Sequence, residues 1–146
     1  MAADRRDGIV RAAQLSTAAF AAVQLAGVLA KPARAVALGV DALLFAAGIA
    51  IFFWAYAVAV GRSRTDEIGI GGLFFLAGPE TAPKPVKVAL LTTLAVHVVV
   101  AVAAAAARPF TSLAFGVLTP LSTLALVGLW GAKHGRFGAR GDQPSR

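Results

Sequence analysis

The sequence predicts an all-α, polytopic membrane protein with four transmembrane helices, on three observations. Four apolar runs, at about 12–30, 35–60, 88–107 and 111–131, each reach or approach the ~20 residues an α-helix needs to cross roughly 30 Å of hydrocarbon. Hydrophobic residues make up 58% of the 146-residue chain and charged ones 14%, more apolar surface than a soluble domain of this size can cover with polar groups. The cations lie beside the runs instead of interleaving with aromatics on a soluble face, so the formal charge of +7 reads as a topology signal and a contact for anionic headgroups, not as a nucleic-acid surface. Because the spans take over half the chain, residues 1–146 are read as a single membrane domain with no segment left for a soluble core.

The first span follows a basic head containing Arg5, Arg6 and Arg11. A secretory signal peptide cut at Ala33-Arg34-Ala35 is the alternative, but the apolar stretch exceeds the usual ~7–15 residues and Pro32 stands ahead of the cut. The second span ends in Trp54 and Tyr56, aromatics suited to the headgroup level. The 61–87 loop has an apolar, glycine-rich middle, 68–77, too short to span and therefore read as an interfacial segment or a packed loop before a partly re-entrant one. Pro79, Pro83 and Pro85 are expected to keep the chain extended up to the third span. Arg108-Pro109 turns the chain into the fourth span, where Pro120 frees the carbonyl near residue 116 and predicts a kink, and Trp130 is expected at the membrane boundary. The basic, glycine-rich tail 133–146 is expected to be disordered.

With four spans, the head, the 61–87 loop and the tail share one side. That side holds every cation except Lys31, Arg34 and Arg108, which places both termini in the cytoplasm of a cell-membrane protein.

Few polar groups fall inside the spans. Asp41 is the only acid there, about 9 Å below the outer boundary at 1.5 Å per residue. It reads either as a proton or cation site or, preferred, as a carboxylate paired with Lys31, Arg34 or Arg108. It shares a face with Gly48, which points it inward. His97 lies near mid-membrane in the stripe Thr93, His97, Ala101, Ala105, and is read as a hydrogen-bonded packing residue before a ligand or relay. Gln24, Thr119, Ser122 and Thr123 fall at similar depth and complete a possible intramembrane polar site. Alanine rows at Ala18, Ala22, Ala26, Ala30 and at Ala42, Ala46, Ala50 have the spacing of packed helices, within the chain or between copies.

Other motifs carry no chemistry. The absence of cysteine excludes disulfides, thiolate metal sites and cysteine nucleophiles. Haem ligation by two histidines would need a second intramembrane His, and His134 lies in the tail. Gly69-Ile70-Gly71-Gly72 lacks the lysine of a phosphate loop, and Arg140-Gly141-Asp142 falls in the tail. No serine or threonine has a placed base and acid, so no enzyme, cofactor or metal is expected.

Arginine exceeds lysine, and alanine, glycine and valine abound, as in GC-rich bacterial genomes. The stretches GRSRTDEIGIGGLFFLAG and RPFTSLAFGVL resemble uncharacterised four-span membrane proteins of GC-rich actinobacteria. The resemblance implies the architecture and brings no catalytic residue. Small multidrug-resistance exporters carry a glutamate in their first span, which has no acid here, and the asparagine and phenylalanine pattern of small fluoride channels cannot be placed on this chain. The expected role is that of a non-enzymatic accessory or scaffold component whose partners are the lipid bilayer, other membrane proteins or a second copy. The alternative is a small oligomeric transporter or channel using Asp41 and His97.

Overall fold

A computed structural model describes residues 2–139, with side chains from residue 8 onward. The chain forms α1 (Ala2–Leu29), α2 (Ala33–Arg62), a short α3 (Ile70–Phe74), α4 (Lys84–Ala107), a 3₁₀ helix (Ser112–Leu118) and α5 (Pro120–His134). Four segments are long and apolar enough to cross a membrane: Gly8–Leu29, Ala33–Arg62, Lys84–Ala107 and Ser112–His134. Helix accounts for 78% of the structure, with no strand among the described residues, and the protein is an all-α polytopic membrane protein.

Each long helix buries a narrow seam and leaves the rest of its apolar surface facing out. In α1 the seam is Ala13, Thr17, Phe20, Gln24 and Gly27; in α2 it is Ala37, Asp41, Gly48, Ala55 and Ala59; in α4 it is Leu90, Thr93, His97, Ala101 and Ala104. The three- and four-residue steps keep these side chains on one face. Outward lie Leu15, Leu25, Leu43, Phe53, Val99 and Val102, while Gln24, Asp41, His97 and Thr123 are inside. That inversion would leave a large sticky surface in water and is the normal arrangement in lipid. α5 is the central element. Nearly every residue from Ser122 to Ala132 is buried, and its most extensive packing is against α2.

The α2–α5 contact is close because of Gly48. A Cβ there would sit 2.8 Å from the Ser122 backbone nitrogen and 2.9 Å from its Cα, so only glycine lets the two backbones meet. At the other end of α5, Gly128 and Gly131 form a notch that receives α3: a Cβ at Gly128 would run into the Phe74 ring, and one at Gly131 into the Leu73 carbonyl. Phe74 also stacks on Phe52, with ring centroids 5.0 Å apart. The apolar middle of the 61–87 loop is therefore a packed loop with one helical turn, its Leu73, Phe74 and Leu76 buried.

The fourth span differs from the single kinked helix expected. Residues 112–118 wind as a 3₁₀ helix and Pro120 occupies the first turn of α5 instead of interrupting an α-helix. The carbonyl that proline leaves free, Gly116 O, accepts from the Thr119 backbone N–H at 3.1 Å and from the Thr119 hydroxyl at 2.7 Å. Pro85 likewise lies in the first turn of α4, where its missing N–H costs nothing, and not in an extended connection.

Trp130, four residues before the end of the fourth span, is 1% exposed and packs with Leu76, Ala82, Leu90 and Val127. Two further expectations are corrected. The start of the tail is ordered, because Lys133 and His134 finish α5 and residues 135–139 return along the loop. There Arg136 N–H donates to Thr81 O at 3.0 Å and Glu67 N–H to Gly138 O at 2.8 Å. Residues 140–146, with the Arg140-Gly141-Asp142 motif, lie outside the described residues. The alanine rows at 18, 22, 26, 30 and at 42, 46, 50 face outward, so they do not mediate packing within the chain.

The cations close helix ends. Arg34 Nε donates to Gly27 O and Arg108 Nε to Val28 O, each at 3.1 Å, which satisfies last-turn carbonyls of α1. Arg62 bridges Asp66, the Ala132 carbonyl and the Gly135 carbonyl, tying the end of α2 to that of α5.

Candidate functional site

Two polar centres lie inside the bundle, both against the junction between the 3₁₀ helix and α5. The first is His97, fully buried on α4. Its Nδ1 is 3.0 Å from Thr17 Oγ1 of α1 and 2.8 Å from Thr123 Oγ1 of α5, and its Nε2 is 2.9 Å from Thr119 Oγ1. Phe20, one turn after Thr17, stacks on the imidazole with centroids 4.2 Å apart. The Thr119 hydroxyl, 2.7 Å from the Gly116 carbonyl and 2.9 Å from Nε2, has one proton for the two. Given to the carbonyl, it leaves the ring proton on Nε2, with Nδ1 accepting from one of the two threonines on its side, which lie 3.4 Å apart; given to the imidazole, it puts the ring proton on Nδ1.

The second centre joins α1 to α2. Gln24 Nε2 donates to both oxygens of the fully buried Asp41, at 2.8 and 2.9 Å, while Gln24 Oε1 has no partner. Gly116 lies directly over this pair: a Cβ there would stand 2.8 Å from Gln24 Nε2 and 3.3 Å from Asp41 Oδ2. The pairing of Asp41 with Lys31, Arg34 or Arg108 is thus corrected, because among the described residues no cation pairs with the carboxylate and two of the three hold α1 carbonyls instead.

Of the residues singled out from the sequence, Thr119 and Thr123 meet His97, and Gln24 meets Asp41. Ser122 is buried but gives its hydroxyl to the Thr119 carbonyl at 2.7 Å and does not contact the imidazole. The α4 stripe ends on Ala104 and not Ala105. Thr17, Phe20 and Gly116 escaped the sequence reading. The signal for Thr17 is its seven-residue spacing from Gln24, which puts both on the α1 face that receives the other helices.

Chemically the arrangement is closed. A carbonyl oxygen has no proton to hand on, so the line of hydroxyls through His97 ends at Gly116 O. The larger grooves lie elsewhere: one of about 630 Å³ is lined by Phe52, Tyr56, Ile70 and Phe75, and one of about 410 Å³ by Phe45, Val98 and Leu118. Neither is lined by Asp41 or His97. No three metal-ligating side chains come together among the described residues. Compared with family models, curated proteins and solved structures, the chain matches none.

Proposed function

We propose that the protein is a non-enzymatic, multi-pass component of the cell membrane, an accessory or scaffold element with both termini in the cytoplasm. The observation that carries this reading is the closure of the polar centres: both imidazole nitrogens and both carboxylate oxygens are held by side chains of neighbouring helices. Such interhelical bonds join α1, α2, α4 and α5 without a substrate, and no cofactor enters the proposal. Outward rows of alanine on α1 and α2 support association with another apolar helix, from a membrane partner or a second copy. The excess of cations at the end holding the 61–87 loop supports the orientation.

The cysteine-free chain makes the topology testable with single cysteines at two exposed positions, Thr65→Cys and Pro109→Cys. A membrane-impermeant maleimide added to intact cells should label Pro109→Cys and spare Thr65→Cys until the cells are opened. The reverse pattern would reject the orientation, and labelling of both from outside would reject the four-span membrane placement.

A second reading, a small transporter using Asp41 and His97, is favoured by one observation, the lack of a cation paired with the buried carboxylate among the described residues. Only this reading requires protons or ions to move through reconstituted protein.

A further inference from the structure

We propose that the apolar groove between α2 and the 68–75 segment holds one acyl chain of an anionic phospholipid, drawn from the leaflet on the side of the 61–87 loop. The groove measures about 630 Å³ and is lined along α2 by Phe52, Tyr56, Val60 and Ser63, and across from them by Ile70 and Phe75, among others. A volume of this size with aromatic and aliphatic walls suits an apolar ligand. The proposal stands whichever face of the membrane the loop occupies.

The groove follows from the way α3 is held. Leu73 and Phe74 fill the notch at Gly128 and Gly131 of α5, and α3 meets α2 where Phe74 stacks on Phe52. Beyond that stack, toward Ser63, the two segments leave a space between them. From Phe52 to Ser63 α2 rises about 16 Å at 1.5 Å per residue, roughly half of the ~30 Å hydrocarbon core and so the depth of one leaflet. Ser63 directly follows the span Ala33–Arg62, so the groove ends where α2 leaves the membrane. The next apolar groove shares only Phe75 and Leu124 with it. A transmembrane helix of a partner or a second copy needs a seam as long as a span, whereas a groove one leaflet deep matches a single acyl chain whose polar end stays at the surface.

Charge selects the kind of lipid. Arg62 is taken up by Asp66 and by the Ala132 and Gly135 carbonyls, but Arg64, next to Ser63, is exposed and forms no ion pair with a described acid. Residues 61–87 and 133–139 together carry six cations and three acids, so a headgroup at this end of the groove meets a surplus of positive charge. That surplus complements an anionic headgroup and gives a zwitterionic one no advantage.

Tryptophan quenching by chain-brominated lipids tests the proposal. In a Trp54→Phe background the remaining Trp130 is buried and supplies a constant baseline. Tyr56→Trp then places a reporter in the groove, and Val99→Trp places one on the exposed face of α4 outside it. In phosphatidylcholine vesicles, brominated phosphatidylglycerol should quench the Tyr56→Trp protein saturably, with about a fivefold preference over brominated phosphatidylcholine, the worth of one arginine near an anionic headgroup. The Val99→Trp protein should show no such preference. Arg64→Gln should abolish the preference by removing the charge, and Val60→Phe should weaken it by filling part of the groove. The proposal is overturned if the two lipids quench Tyr56→Trp alike, if Val99→Trp shows the same preference, or if the preference survives in folded Arg64→Gln or Val60→Phe protein. It is equally overturned if neither lipid reaches Tyr56→Trp while both quench Val99→Trp, the result a covering protein helix would give.

Discussion

Replacing Gln24 by leucine is expected to destabilise the bundle by about 3–5 kcal/mol, the range for removing one partner from a buried charged group. Among the described residues the Gln24 side-chain nitrogen is the only hydrogen-bond donor to either oxygen of Asp41, and without it a fully buried carboxylate loses that partner. Thermal unfolding in mild detergent should show a clearly lowered midpoint. Asp41→Asn should behave in the opposite way. An asparagine amide accepts from Gln24 Nε2 and also donates to Gln24 Oε1, the atom that is unpartnered in the parent. Its midpoint should equal or exceed that of the parent. If Gln24→Leu unfolds with the parent, or if Asp41→Asn unfolds well below it, the pairing between α1 and α2 has been given the wrong role.

Gly48→Leu is expected to force α2 from α5 and cost at least ~1–3 kcal/mol, the usual price of overpacking. The atoms a new side chain would meet belong to the Ser122 and Leu121 backbone, which cannot rotate aside as a flexible side chain does. Gly39→Leu supplies the contrast on the same helix. Nothing lies within 4 Å of a Cβ at Gly39, and the residue is exposed, so that variant should stay within about 0.5 kcal/mol of the parent. Equal losses for the two glycines, measured as unfolding in the same detergent, would contradict the packing described here.

The four spans were legible because hydrophobic length is a direct consequence of bilayer thickness and needs no knowledge of neighbours. The break before Pro120 was only half legible. Proline marks the place, but a run as apolar as 111–131 carries no sign of whether the turns before it are α or 3₁₀. The burial of Trp130 was not legible, because an indole suits lipid and a core equally, and the notch at Gly128 and Gly131, filled by Leu73 and Phe74, is what encloses that stretch of α5. The alanine rows misled for a related reason: small side chains allow close packing, yet they sit as easily against lipid.

The polar site divides along similar lines. That His97 would meet Thr119 and Thr123 followed from depth, since both sides of the 108–111 turn run back through the membrane in step. The same argument locates the partner of Asp41. Gln24 and Asp41 stand at similar distances before and after the turn at residues 31–32, so antiparallel helices bring them level. Charge drew attention to Lys31, Arg34 and Arg108 instead. Arginine at a helix end has a competing use, the unsatisfied last-turn carbonyls, and Arg34 and Arg108 both take it.

The central claim is that Asp41 and His97 hold helices together and do not carry protons across the membrane. Proton flux into vesicles bearing the reconstituted protein, under an imposed pH gradient, tests it most directly. The account predicts a flux equal to that of protein-free vesicles, for the parent and for Asp41→Asn alike. A flux present with the parent and lost in an Asp41→Asn protein that unfolds at the parent's midpoint would contradict it.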